Sequence, residues 1–182
     1  MRTVAGFIIR NDVIIFYLLN RKLRCRLLSI CMRGITQLGS TLFSIVISVF
    51  LMLEGSEQLR RMGVKLAFVL ILSQIIVQSV KRIVNRPRPY KILEKAIAIK
   101  PPSCKYSFPS GHTCAAFAIA FTLASSISPI GTGIFIIAIL VGVSRVYLGF
   151  HYPTDVFAGV GISLLSFIIT NHFIITKLIF KI

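Results

Sequence analysis

The sequence predicts an all-α protein, a polytopic membrane helical bundle of about five transmembrane helices preceded by N-terminal interfacial helices. Three observations carry that expectation. The chain is 55% hydrophobic and only 14% charged, with a mean hydropathy of +0.86, far more apolar than a soluble domain. Uncharged runs recur along it, several near the ~20 residues that a helix needs to cross a hydrocarbon core. Its 21 Lys and Arg are gathered mainly between those runs.

The formal charge of +16, from 21 basic against 5 acidic residues, asks for an anionic partner. Nucleic acid does not fit, because the basic residues are parted by apolar runs and form no continuous polar face. Anionic lipid headgroups do fit. Cys25, Cys31, Cys104 and Cys114 show no CxxC pair and no metal-ligand spacing. Cys114 falls in an apolar run and reads as a small buried residue, whereas the sequence leaves open whether Cys104 pairs with another cysteine. No cleavable leader is expected, since Arg10, Asn11 and Asp12 break the first apolar stretch.

Residues 1–33 mix seven basic side chains with short apolar runs, and 13–19 is too short to cross a bilayer. The segment is expected to lie at the interface as amphipathic helices with snorkelling Lys and Arg. The uncharged run 35–53 is the first expected span. A polar turn at 54–61 leads to the second, at about 62–80, in which Lys65 should snorkel and Ser73, Gln74, Gln78 and Ser79 should turn a polar stripe toward other helices. Pro87 and Pro89 stop that helix within a basic run from Lys81 to Arg88. A basic loop at 90–105 has room for a short amphipathic helix at 91–99 closed by Pro101-Pro102, and it either gates lipid access or only connects. Spans three to five are expected at about 113–127, 133–144 and 155–176, with a turn at Ser128-Pro129-Ile130-Gly131 and with Pro153 placed to open the last. There is no internal repeat or low-complexity tract.

Alternation alone puts the end of span two, the start of three, the end of four and the start of five on one side of the membrane. Residues 81–88, 110–112 and 144–155 can therefore converge. Pro109-Ser110-Gly111-His112 sits directly before an apolar run and should form a helix mouth whose first amides lack partners within the helix. Ser110 is a good N-cap, Gly111 lets a ligand approach the backbone, and His112 can give a proton near neutral pH. Together they make a phosphate cradle with an acid beside it. Lys81, Arg88 and Arg145 add cationic donors, and a guanidinium matches phosphate oxygens in a two-pronged geometry that lysine lacks. His151 precedes Asp155 by one helical turn, and Asp155 is the acid beside this cluster. It can hold one ring nitrogen protonated so that the other attacks phosphorus.

Two histidines then divide the labour, His151 as nucleophile forming a phosphohistidine and His112 as the acid for the leaving oxygen and later the aid to water. With no paired carboxylates and no His/Cys cluster, a metal-independent reaction with no cofactor is expected. Each residue has a plainer reading: Arg145 as a helix-end or snorkelling cation, Asp155 as a first-turn acid, His151 as an interfacial histidine. His172, beside Asn171, is read as structural. Joint occurrence weighs against the plainer readings for the others, because the chain has only 5 acids and 3 histidines, yet two histidines and one acid fall where the basic clusters meet.

Lys81-x6-Arg88-Pro89, then Pro109-Ser110-Gly111-His112, then Ser144-Arg145-x5-His151-x3-Asp155 resembles the complete three-part signature of the phosphatidic acid phosphatase type 2 superfamily. That family also includes vanadium haloperoxidases and glucose-6-phosphatases. The motifs cover residues 81–155, and the arrangement of spans extends the likeness from residue 35 onward. The resemblance implies a helical membrane enzyme that removes phosphate from a lipid phosphate or diphosphate, with undecaprenyl diphosphate, phosphatidylglycerol phosphate and phosphatidic acid as candidates. It also implies the roles given above, with Lys81, Arg88, Ser110, Gly111 and Arg145 as phosphate ligands. One domain, 1–182, is expected, divided into the interfacial segment 1–33 and a transmembrane catalytic bundle 34–176. Many membrane members have six spans, and this chain departs from them at the N-terminus.

The resemblance places the site on the extracytoplasmic face, whereas the basic residues of 1–33 and 81–105 would by the positive-inside tendency turn that side to the cytoplasm. The side leans to extracytoplasmic by analogy. The competing function is a non-catalytic membrane protein that binds anionic lipid through the same cations; a haloperoxidase reading is more distant, since those enzymes are soluble. Neither substrate nor oligomeric state is legible.

Overall fold

Small hydroxyl residues set where the helices begin. In the computed structural model, which describes residues 4–98, 104–125 and 131–178, Ser40, Ser56 and Ser110 each accept a hydrogen bond from an amide three residues on. Helix α1 (Val4–Tyr17) runs into a π-helical turn (Leu18–Lys22) and is followed by α2 (Arg26–Gln37) and α3 (Thr41–Leu53). The long α4 (Glu57–Val84) ends at Asn85, whose φ of 49° is the left-handed conformation of a helix stop. A single turn, α5 (Pro89–Ile92), precedes α6 (Gly111–Ala124), α7 (Gly131–Tyr147) and α8 (Pro153–Leu178). Among the described residues the one extended pairing is an antiparallel bridge between Pro87 and Tyr106.

Helix α6 is the central element and packs against α4, α7 and α8. Its Ala115, Ala116, Ala118 and Ala120 are buried, and such small residues let neighbouring backbones come close. Ala115, Ala118 and Ile119 join Leu51 of α3 and Leu66, Val69 and Leu70 of α4 in one core; Ala116, Phe117 and Ala120 join Ala138 and Val141 of α7 in another. Outward, Leu42, Phe50, Phe68, Ile71, Ile75, Phe157 and Ile168 are exposed, an apolar circumference suited to lipid.

Two helices, α4 and the Pro153–Phe173 part of α8, are long and apolar enough to cross a membrane, and α2 with α3 makes a third path bent by 49°. At 14 and 17 residues, α6 and α7 fall short of the ~20 of a straight crossing. The expected first span at 35–53 is therefore not one straight helix. It breaks at Leu38-Gly39-Ser40, because Gly39 lies against the mouth of α6: a Cβ there would stand 2.5 Å from the His112 carbonyl oxygen and 2.8 Å from Val141 Cγ1. Gly39→Ala is accordingly expected to lower stability by about 1–3 kcal/mol, as overpacking does, and to lower turnover by shifting His112. Thermal denaturation and phosphate release measured together check this. Gly159 makes the matching approach from α8, where a Cβ would meet the Ser110 carbonyl at 2.7 Å.

Two further expectations are corrected. Of the polar stripe in α4, Ser73 is buried and Gln74 half-buried, but Gln78 and Ser79 are exposed, because α6 and α8 cover only the other face. The Lys65 Nζ donates to Asn171 Oδ1 (2.7 Å) and lies 4.6 Å over the Phe167 ring. No helix forms over 93–98, since the Ile97 amide bonds Asn20 Oδ1 (2.9 Å) instead of a preceding carbonyl. Helix α2 runs through the 33/34 boundary and packs on α7. The Pro101-Pro102 closure and the turn at 128–130 lie outside the described residues.

Candidate active site

The helix ends expected on one side do meet there. Backbone hydrogen bonds lace them together: Ser110 N donates to Asp155 O (2.9 Å), Ser107 N to Arg86 O (2.8 Å), and the amides of Phe150 and His151 to Arg145 O (3.1 and 3.3 Å). The mouth of α6 is thus tied to α8, and the 148–152 loop to the end of α7. The Ser107 hydroxyl adds a bond to Pro87 O (3.1 Å), holding the segment before α6 against the basic run after α4.

Around this junction lie all eight residues singled out from sequence. Lys81, Arg88, Ser110, Arg145, His151 and Asp155 are buried, and Gly111 and His112 are half-buried. Arg88 is the hub. Its Nε donates to Cys104 O (2.8 Å) and one terminal nitrogen to Phe150 O (3.0 Å), and that same nitrogen lies 3.4 Å from His151 Nε2. Lys81 Nζ donates to Tyr106 O (3.2 Å). Arg145 donates to Thr36 Oγ1 (2.8 Å), stacks 4.7 Å from the Phe150 ring centroid, and keeps a buried Nε with no hydrogen-bond partner among the described residues. Its Nε is therefore a free donor for an incoming oxygen. Ser110 Oγ is spent on capping, taking the Thr113 amide (3.4 Å) and meeting Thr113 Oγ1 (2.8 Å). A Cβ on Gly111 would stand no closer than 3.7 Å to its neighbours, Gln74 Oε1 and Val77 Cγ1. Burial, together with Arg145, His151, Arg88 and Lys81 nearby, pushes the His112 imidazole down to about 3.

His151 is 2% exposed, with Nδ1 3.5 Å from Asp155 Oδ2, and Nδ1 makes no hydrogen bond among the described residues. Burial, with Arg145, Arg88 and Lys81 positive nearby, holds its imidazole well below the usual range, so the ring is neutral. With a carboxylate on its Nδ1 side and a guanidinium on its Nε2 side, a neutral ring is suited to a proton on Nδ1 and a lone pair on Nε2.

Sequence reasoning missed how Asp155 is held. Its Oδ1 accepts from Arg86 (2.7 Å) and its Oδ2 from the Tyr152 amide (2.8 Å); Arg86 also bonds Thr154 Oγ1 (2.7 Å) and Asp12 Oδ2 (2.8 Å). Against burial, which disfavours the cation, the carboxylates of Asp155 and Asp12 hold the guanidinium above its ordinary range. Thr36 on Arg145 was also missed, as was Asn20, which donates to both Ile97 O and Tyr147 O (2.8 Å each). Asp12 alone left a signal, an acid inside an apolar stretch. The four thiols are free, with Cys114 buried and Cys104 exposed and unpaired among the described residues.

The arrangement is a buried imidazole ringed by cations beside a helix N-terminus. The PAP2 superfamily profile matches residues 62–178. This chain belongs to the PAP2 superfamily. It is similar to the undecaprenyl-diphosphatase of Sulfolobus acidocaldarius, at 32% identity over 57% of this chain and 50% of that enzyme, so it spans half the length of that relative. The crystal structure of Aquifex aeolicus LpxE superposes with a TM-score of 0.78 at 31% identity, covering 88% of this chain and 94% of that one. The transmembrane PAP2 type phosphatidylglycerolphosphate phosphatase of Bacillus subtilis superposes at 0.73 with 27% identity, covering 96% and 89%. With its apolar helices and these relatives, the PAP2 chain is a membrane protein.

Proposed function

We propose that this PAP2 protein is a multi-pass membrane lipid phosphatase that hydrolyses a phosphomonoester or diphosphate on a lipid headgroup through a phosphohistidine on His151. The observation that carries the reading is the His151 ring, buried and neutral between the Asp155 carboxylate at 3.5 Å and the Arg88 guanidinium at 3.4 Å. A headgroup phosphate in this cluster would take donors from Arg88, Arg145 and Lys81 and from the free amides at the mouth of α6, which stabilise charge on its equatorial oxygens. The Nε2 lone pair then forms the N–P bond as the P–O bond to the lipid breaks, and His112, charged by a proton taken up with the anionic headgroup against the burial and cations that otherwise hold it neutral, gives that proton to the departing oxygen. In the second step water attacks phosphorus, His112 takes its proton, and the N–P bond breaks to release inorganic phosphate. As the ring becomes cationic, Asp155 stabilises it.

The chain acts as one domain, and no resident metal enters either step, since the carboxylates of Asp12 and Asp155 are both engaged by Arg86. Phosphate release in detergent with a chelator present, from a panel of undecaprenyl diphosphate, phosphatidylglycerol phosphate and phosphatidic acid, tests this. Turnover of at least one is expected. A protein that only bound anionic lipid would retain all three and release nothing.

The site is assigned to the extracytoplasmic face. A variant retaining Cys104 as its sole cysteine should react with a membrane-impermeant thiol reagent in intact cells, and labelling only after permeabilisation would reverse the assignment. Cys25 and Cys31 are replaced because both are exposed and would compete.

A further inference from the structure

Arg86 is a cation in the basic run that does not face the phosphate cluster. One terminal nitrogen serves Thr154 and Asp155, the other serves Asp12, and its face lies 4.0 Å from the Tyr152 ring centroid. Asp12 in turn is 3% exposed and accepts from both the amide (2.9 Å) and the hydroxyl of Thr154, in the first turn of α8. Next to it Phe16, wholly buried, packs 6.0 Å from the Tyr152 ring. We infer that Arg86, fixed by Asp12, is a positioning residue that orients Asp155 against His151, so that helix α1, outside the segment matched by the family profile, belongs to the working parts of the site.

The geometry gives the reason. Asp155 has two oxygens and a rotatable carboxylate; with Oδ1 bound to Arg86, Oδ2 is left to the Tyr152 amide and to the Nδ1 side of His151. Remove the guanidinium and the carboxylate loses its anchor on Oδ1 and keeps the Tyr152 amide on Oδ2, so its orientation toward the ring, and with it the tautomer, is less firmly fixed. Remove the Asp12 charge and Arg86 loses one of its two anchoring carboxylates.

The kinetic part of the inference rests on the phosphatase reading, so the test has a second readout that does not. Full-length protein in detergent is assayed for phosphate release from dioctanoyl phosphatidic acid, and His151 is followed by NMR of isotope-labelled histidine. Arg86→Gln is expected to lower kcat about 10²-fold, the scale of a misplaced reacting group, and Asp12→Asn about 10-fold, with KM changed no more than about twofold in either. Arg86→Lys should recover part of the loss. In an Asp155→Asn background, Arg86→Gln should cost no more than about a further twofold, because the carboxylate it orients is already gone. In the spectrum, wild-type His151 should carry its proton on Nδ1, and both Arg86→Gln and Asp12→Asn should move part of the population to Nε2. Should Arg86→Gln fail to fold, Asp12→Asn, which keeps shape and acceptor, carries both readouts. Losses that multiply in the double variant, a raised KM at constant kcat, or an unchanged tautomer would overturn the inference. A wild-type protein that releases no phosphate would refute the phosphatase reading alone, and the tautomer result would then decide the inference by itself.

Discussion

Replacing His151 by alanine should lower phosphate release by about 10⁴-fold or more, the scale on which removal of a covalent nucleophile acts. Neither Lys81 nor Arg88 can take its place, since both serve as cationic donors to the phosphate, and Ser110 is engaged in its cap. Steady-state phosphate release by a variant that elutes and absorbs as a helical monodisperse protein measures the loss. An unchanged rate would remove His151 from the mechanism. His172→Ala is the matched control, since that residue lies toward the other end of α8, and it should retain the wild-type rate.

His112→Ala gives the second large effect and has a signature of its own. General acid catalysis contributes about 10² to 10⁴ in rate, but only when the leaving oxygen needs a proton. His112 variants should therefore lose that factor on an alkyl lipid phosphate and much less on p-nitrophenyl phosphate, whose phenolate leaves unaided. Equal losses on both would mean that the ring at the mouth of α6 binds phosphate and transfers no proton. His112 is half-buried at the second residue of α6, where burial and the cations it shares with His151 push its imidazole down to about 3, so the acid role depends on the negative charge of a bound phosphate to restore the proton.

The fold was legible where it depended on local rules. Alternation of apolar runs, read with Ser110, Pro153 and the Pro87/Pro89 stop, was enough to bring Lys81, Arg88, Arg145, His112, His151 and Asp155 to one end of the bundle. What escaped depends on contacts between distant residues. Gly39 looks like any residue in an uncharged run until the His112 carbonyl is seen to lie where its side chain would be. Lys65 gives no sign in sequence of its partner, Asn171, 106 positions away.

Within the site, spacing told which residues cluster but not which way each faces. Arg86 and Arg88 are two positions apart in one basic run, yet Arg88 turns to His151 while Arg86 turns to the carboxylates behind it. The relation of His151 to Asp155 was right in register and incomplete in chemistry, since the shortest side-chain contact of that carboxylate is to Arg86. Residues 1–33, read as interfacial, prove to carry Asp12 and Asn20, two buried polar side chains bonded to Thr154 at the start of α8 and to Tyr147 and Ile97.

The most direct test is to trap the covalent intermediate. Protein quenched in alkali during turnover of a lipid phosphate, then digested and sequenced by mass spectrometry, should carry an acid-labile, base-stable phosphoryl group on the peptide bearing His151, at that residue. Phosphate found on another side chain, or turnover with no phosphorylated enzyme at any time point, would contradict the mechanism proposed for this site.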